Sequence, residues 1–385
     1  MATSKRAHSR ATSPLSASEP VPKFLSLPLG VLNQKFKSIN AHEASLRADP
    51  AAIFSHPMAV ARNRYPDVHP WSHNRVHLHA LPFPYINASP IDLGRPRENF
   101  IATQGPLERD MGLGHFWEMV WQEACEVIVM LTRVVEEGKE KCGVYYPETV
   151  GEVKELEGWG SVECASLREE FRTEIRELKV VKRSQEEGEE RVEERVVRHF
   201  LFLGWPDYEI PVTREDQDAL LELIRMSRFQ IDEVSNEDGE KVTPPRIVHC
   251  SAGVGRTGTF IALDYLLQEL DDGRFDDMVN GEDDETDSEK QNVDPVFETV
   301  KKLREQRMYM VYKPGQYAFI YQMLRQRWEA RKKGVQTPSI GGEGLENVQV
   351  SPTKKRKLVQ NGSGNELDVD TKDDDELDVD TKEDS

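Results

Sequence analysis

Apolar residues recur along most of this chain at two spacings, and the switches between them sketch the elements. In "GHFWEMVWQEAC" (114–125), Phe116, Met119, Val120 and Ala124 fall on one face of a helix. "VIVML" (127–131) follows as an unbroken apolar run, the pattern of a buried strand. Ile175 to Val181 and Val192 to Phe202 read as strands bracketing the charged "KRSQEEGEE", which predicts a hairpin. "RIVHC" is another short apolar strand, and "TGTFIALDYLLQEL" is a helix starting at Thr257. Helical spacing continues through 296–307 and 316–331. Strands alternating with helices predict an α/β domain.

The pattern has edges. Residues 1–22 are polar and broken by prolines, the composition of a disordered tail. Patterned sequence fills 23–334, interrupted at 271–294 by an acidic stretch expected to be a surface insertion. From 335 to 385 the chain reads as tail, with "ELDVDTK" occurring twice. Charge sharpens this division. The formal net charge is −19, and Glu269–Asp294 and Glu366–Ser385 carry −10 and −9 of it. The remainder is balanced, so the acidity belongs to two appendages and says little about what the core binds.

Four cysteines, Cys125, Cys142, Cys164 and Cys250, form no C-x-x-C pair. That argues against a disulfide framework or a zinc site and fits a reducing compartment. No apolar run approaches the roughly 20 residues of a membrane span. The N-terminus has no apolar core of a secretory signal, and its Ser and Arg residues lack the amphipathic stripe of a transit peptide. No basic patch interleaved with aromatics suggests nucleic acid.

"IVHCSAGVGRTGTF" (247–260) carries the chemistry, and it supports two readings. Gly253, Gly255 and Gly258 fit the spacing of a dinucleotide-binding turn. That turn needs an acid about 20 residues on, closing a second strand. Asp271 and Asp272 lie near that distance, but no apolar strand leads to them. A dinucleotide turn also has no use for a cysteine six positions before an arginine. The nucleophilic reading uses every residue. Cys250 ends a strand, and the loop after it feeds a helix N-terminus, where free N–H groups and the helix dipole favour anions. Such a field favours the thiolate, the nucleophilic form of a cysteine. The glycines let backbone approach a ligand closely. Arg256 offers a planar fork matched to two phosphate oxygens. On this reading Thr257 hydrogen-bonds the sulfur as it leaves, and His249 orders the loop.

"VHCSAGVGRTGTF" resembles the H-C-x-x-G-x-x-R-[ST]-G signature of the cysteine-dependent protein tyrosine phosphatases, here of the non-receptor type. The resemblance covers roughly 24–332 and implies one domain, a twisted mixed sheet flanked by helices on both faces. It implies a phosphate-binding loop made of Ser251, Ala252, Gly253, Val254, Gly255 and Arg256 around the nucleophile Cys250. Within "GWPDYEIP" (204–211), Asp207 after Trp205-Pro206 corresponds to the family's general acid, which later acts as base. In "RNRYPDVHPWSHNRVHL" (62–78), Tyr65 matches the ring that stacks on phosphotyrosine, and Asp67 the carboxylate that grips substrate amides. Glu136 falls where a carboxylate pairs with the loop arginine, and Lys141 where a lysine lies near the acid loop. "YINAS", "FIATQGP" and "HFWEMVW" follow in the family's order, although Trp117 and Trp121 taken singly read as core.

Two departures matter. In "RMYMVYKPGQYAF" (307–319), Gln316 matches the second of two water-positioning glutamines, while Tyr312 replaces the first. Tyr309 stands where some members have a small residue. The resemblance implies no cofactor and no metal, phosphotyrosine proteins as substrates, a monomer, and a cytoplasmic or nuclear location. Alternatives are a scaffold that binds phosphotyrosine without cleaving it, a dual-specificity enzyme, and an inositide phosphatase. Inositide enzymes usually carry lysines where Ala252 and Val254 stand here. Lys354, Lys355, Arg356 and Lys357 read either as an import signal or as a solvated run beside acidic neighbours.

Overall fold

Short unbroken apolar runs become the middle of a sheet, because only strands covered on both sides can afford to lack polar positions. The strands are β1 (Ala88–Ile91), β2 (Phe100–Thr103), β3 (Val127–Met130), β4 (Val135–Glu136), β5 (Lys139–Glu140), β6 (Val153–Leu156), β7 (Gly160–Glu170), β8 (Thr173–Glu186), β9 (Glu189–Phe202), β10 (Val234–Ser235), β11 (Lys241–Val242) and β12 (Arg246–His249). This computed structural model describes residues 21–335 apart from 80–82, 96–98, 110, 187–188, 207–208, 229–233, 236–240 and 280–292. Asp207, both tails with Lys354–Lys357, and most of the acidic interruption therefore lie outside the described residues.

Among the described residues, eight strands form one sheet in the order β1-β2-β12-β3-β9-β8-β7-β6. Its centre, β2, β12, β3 and β9, is parallel. The flanking pairs are antiparallel, so the sheet is mixed. β12 arrives last and inserts between β2 and β3. Its alternate residues enter two separate cores: Val248 joins the one that holds Phe100, Val129 and Phe260, and Ile247 the one that holds Ile128, Phe116 and Trp117. The first core is closed by helices α1 (Leu29–Arg47), α4 (Arg214–Arg228), α5 (Gly255–Asp271), α6 (Pro295–Gln306) and α7 (Pro314–Lys332), and the second by α3 (Gly112–Gln122). A short helix, α2 (Pro57–Arg62), leads into the Tyr65 segment.

One ion cluster fixes α5 to β12. Asp264 is fully buried and accepts from both guanidinium nitrogens of Arg246 at 2.8 and 2.9 Å and from Arg228 at 2.6 Å. Burial alone raises this carboxyl, and the two arginines outweigh it, holding Asp264 below the ordinary carboxylate range. The strand and the helix that carry the loop between them are thus locked at one end.

Four segments differ in detail from the pattern of apolar residues. α3 buries every residue from His115 to Trp121 rather than one face. Trp117 Nε1 donates to Tyr145 O, while Glu118 on another face takes Trp159 Nε1 and Lys182 Nζ. Ala124 lies past the helix with φ of 50°, outside the predicted face. α5 begins at Gly255, two residues before Thr257, so Arg256 stands in its first turn. The acidic interruption is anchored at both ends: Asp271 ends α5 and pairs with Arg327, and Phe275 packs edge-on against Phe24. At its far end buried Asp294 caps α6 by accepting from Val296 N and Phe297 N. The predicted hairpin is longer than its apolar core, since β8 and β9 continue through the charged segment.

Candidate active site

The loop after β12 is shaped by where its carbonyls go. Ser251 O accepts from Gly105 N at 2.8 Å. Ala252 O and Gly253 O accept from Arg307 at 3.1 and 2.8 Å. Val254 O accepts from Gly258 N and Val311 N. In a planar trans peptide the N–H points opposite to the C=O. Four carbonyls turned outward therefore turn the amides of Ala252, Gly253, Val254 and Gly255 inward. The helix that follows has no side-chain cap on its first turn, leaving its own amides free for an anion. Gly253 is required here: its φ is +72°, and a Cβ would stand 2.1 Å from Thr103 O.

Cys250 sits at the start of this loop, buried at 4% exposure and in no disulfide. Arg256 is buried beside it and forked onto Glu136, Nη1 to Oε1 at 2.7 Å and Nη2 to Oε2 at 2.9 Å. The same guanidinium donates to Trp205 O at 3.2 Å and to Thr132 Oγ1 at 3.2 Å. It thereby ties the loop to the segment entering Pro206 and Asp207. Trp205 Nε1 donates to Glu209 O at 2.9 Å, so the two residues that bracket positions 207–208 are joined.

The remaining residues singled out from sequence are spread around this loop. The Tyr65 hydroxyl lies 2.8 Å from Ser251 Oγ, which sets its ring at the loop's edge. Asp67 is exposed and adds a small upward push to the Tyr309 phenol, whose pKa is raised chiefly by burial, with Arg47 opposing and Glu43 assisting. The Gln316 amide lies over Gly255, where a Cβ would be 3.1 Å from either of its polar atoms, and its Oε1 accepts from Lys313 N. Lys141 is buried, and its carbonyl crowds Gly105 together with that of Cys250: a Cβ there would stand 2.7 and 3.0 Å from the two oxygens. Thr257 Oγ1 is buried and hydrogen-bonds no described residue. His249 is buried with Nδ1 3.2 Å from Cys250 O, and burial lowers its pKa to about 4. No cluster of three His, Cys, Asp or Glu side chains suited to a metal occurs among the described residues.

Four residues escaped the sequence reading. Arg307 clamps two loop carbonyls and Asn87, fully buried, and desolvation lowers it to about 10. Arg64 ties the Tyr65 segment to Gly105 O, Pro106 O and Glu140. Tyr145 and His199 stand behind His249: the Tyr145 hydroxyl is 2.8 Å from Nε2 of both histidines. Only the tendency of a buried arginine or histidine to need a partner marks such residues, and that does not reveal which partner.

A family model described as protein-tyrosine phosphatase matches residues 59–326. The chain is 35% identical over 274 residues to the phosphatidylinositol phosphatase PTPRQ of Rattus norvegicus, covering 70% of this chain and 10% of that protein. It is 33% identical over 305 residues to the human tyrosine-protein phosphatase non-receptor type 9, covering 76% and 46%. The crystal structure of the catalytic domain of human protein tyrosine phosphatase non-receptor type 18 superposes with a TM-score of 0.62 at 29% identity, over 78% of this chain and 97% of that one. The chain thus spans less than half the length of these curated relatives.

Proposed function

Because this chain belongs to the protein-tyrosine phosphatase family, we propose that it hydrolyses phosphotyrosine in proteins through a phosphocysteine formed on Cys250. The observation that carries this reading is the ring of inward amides beside a buried cysteine, closed by Arg256 in its fork with Glu136. Cys250 Sγ attacks phosphorus, and the P–O bond to the tyrosine breaks as Asp207 protonates the departing oxygen. Inward amides and Arg256 carry the charge of the transferring phosphoryl group. Asp207 then takes a proton from water, which Gln316 orients. That water's oxygen bonds to phosphorus, and the thiolate and inorganic phosphate are released.

Tyr312 supplies no amide for that water, so the second step is the slower one and the phosphocysteine is long-lived. Rapid-quench kinetics should show a burst of phenol; its absence would contradict this. Tyr65 and Asp67 hold the substrate's ring and backbone. Ala252 and Val254 bring no charge for extra phosphates, which favours phosphotyrosine over the lipid class in the name of the rat relative. The test is phosphate release from a phosphotyrosyl peptide, from phosphoinositide vesicles and from a phosphoseryl peptide. Release from the first alone, lost in Cys250→Ser, supports the reading. Tight binding of the peptide without release supports a scaffold. Asp207→Ala should hold substrate and lose turnover. Lys354–Lys357 would direct nuclear import, and a tagged chain that stays cytosolic with that run intact would dismiss it.

A further inference from the structure

Proton counting around Tyr145 assigns work to a residue that the reaction scheme does not use. The hydroxyl lies 2.8 Å from Nε2 of His199, 2.8 Å from Nε2 of His249 and, more loosely, 3.7 Å from Met130 Sδ. A hydroxyl has one proton to donate and two lone pairs that accept, so at most one of the two imidazoles can accept from it. His249 Nδ1 faces Cys250 O at 3.2 Å, and a carbonyl only accepts. A neutral imidazole carries one N–H, so His249 holds its proton on Nδ1 and is bare at Nε2. Tyr145 therefore donates to His249 and accepts from His199 Nε2–H.

The environment of His199 agrees. Its Nδ1 is buried and hydrogen-bonds no described residue. Its cross-strand partner is Arg176, whose Nε and Nη1 are also buried without a hydrogen-bond partner, and whose charge bears on the ring. A guanidinium charge near the ring favours a bare nitrogen lone pair and disfavours an N–H at Nδ1. Burial first, then Arg176 and His249, hold His199 neutral; burial keeps His249 neutral, helped by Arg64 and Arg256. Tyr146 lies against the His199 ring at 4.3 Å, and Glu174 pairs with Arg176. Cys142 also bears on Tyr145.

We propose that His199, with Arg176 behind it, is a positioning residue that acts through Tyr145 to hold the His249 proton on Nδ1, aimed at the Cys250 carbonyl. The consequence follows from the peptide plane. With Cys250 O drawn toward His249, the Ser251 N–H turns the other way, into the ring that receives an anion. The opposite tautomers would set two lone pairs against each other at Cys250 O and release that peptide.

This inference rests on Cys250 being the nucleophile, yet neither of its tests needs turnover. Long-range proton–nitrogen spectra of the full chain with labelled histidine should show His249 protonated on Nδ1 and His199 on Nε2; the reverse pattern overturns the proposal without any variant. Alkylation of Cys250 by iodoacetate at one fixed pH near neutrality reads the consequence, with Cys250→Ser as the blank. His199→Phe should slow it roughly 3- to 10-fold, and His199→Gln, whose amide can donate to Tyr145, should restore it to within about twofold. Tyr145→Phe should slow it equally, and the double variant no further. A folded His199→Phe chain alkylated at the parental rate would refute the proposal, since a role in packing alone lowers melting temperature and leaves this rate unchanged. Parental tautomers and alkylation with no phosphate release would count against the hydrolase reading and leave this inference standing.

Discussion

The loop from His249 to Arg256 and the turn from Arg307 to Gln316 touch each other, joined by Val311 N and Val254 O, yet they are held by opposite means. The loop has glycine at 253, where the backbone goes left-handed, and its carbonyls reach partners within the fold. The turn puts Tyr309 at φ 61° and Val311 at φ 60°, non-glycine residues in a conformation that costs each about 1–2 kcal/mol. Its shape is imposed by the helices packed behind it. Glu43 of α1 accepts from Tyr309 N, and Arg304 of α6 binds Glu43, Met310 O and Val311 O. Arg47 of α1 donates to the Tyr309 hydroxyl and lies over its ring. The loop meets its left-handed position with a glycine, whereas the turn meets its two with residues bearing side chains, which its neighbours hold in place.

Breaking the loop should have the largest effect. Arg256→Ala removes the fork to Glu136 and the charge at the anion site, so kcat should fall roughly 10³-fold or more. Arg256→Lys keeps the charge without the planar fork and should recover little of it. Steady-state kinetics on a phosphotyrosyl peptide decides. Breaking the turn comes next. Glu43→Gln leaves the buried Arg304 without its carboxylate, and urea unfolding should show a loss of about 3–5 kcal/mol. A loss under 1 kcal/mol would mean that the turn holds itself.

Acid should loosen the loop's rear support. His249 titrates near 4 in the fold and 6.5 when unfolded. Below pH 6.5 the unfolded chain binds a proton that the folded chain refuses, so stability is full above 6.5 and falls as pH drops towards 4. This one residue accounts for about 3 kcal/mol, and His199 shifts in the same direction. Unfolding free energies that stay flat from pH 7 to pH 4 would contradict the assignment. The smallest effect sharpens the comparison. Tyr312→Gln should shorten the phosphocysteine's life, shrinking the burst and raising the steady-state rate roughly 3- to 10-fold.

Legibility in the sequence divides along the same line. Cys250, Arg256 and the glycines between them are local, so their spacing alone pointed to the phosphatase family rather than to a dinucleotide turn. β3 and β12 announced themselves as apolar runs because both faces of each are covered. Other features depend on distant partners. Arg307 reads in sequence as one more charge before a tyrosine, and only the fold brings Gly253 O to it, 54 residues away. Glu43 looks like a solvated helix position until Arg304, 261 residues on, is packed against it. Periodicity misjudged α3 because Trp117 and Glu118, on different faces, both find buried hydrogen-bond partners, so the helix has no dry side and wet side to compare. α5 starts two residues before the expected Thr257 because Gly255, a poor helix former, hides a first turn that also holds Arg256.

The central claim is that phosphorus passes through the sulfur of Cys250. Acid quench of the full chain during turnover of a phosphotyrosyl peptide, followed by peptide mass spectrometry, tests it most directly. Phosphate should appear on the Cys250 peptide and accumulate further in Asp207→Ala given an aryl phosphate with a good leaving group. Steady phosphate release by a Cys250→Ser chain, or label on any other residue, would contradict it.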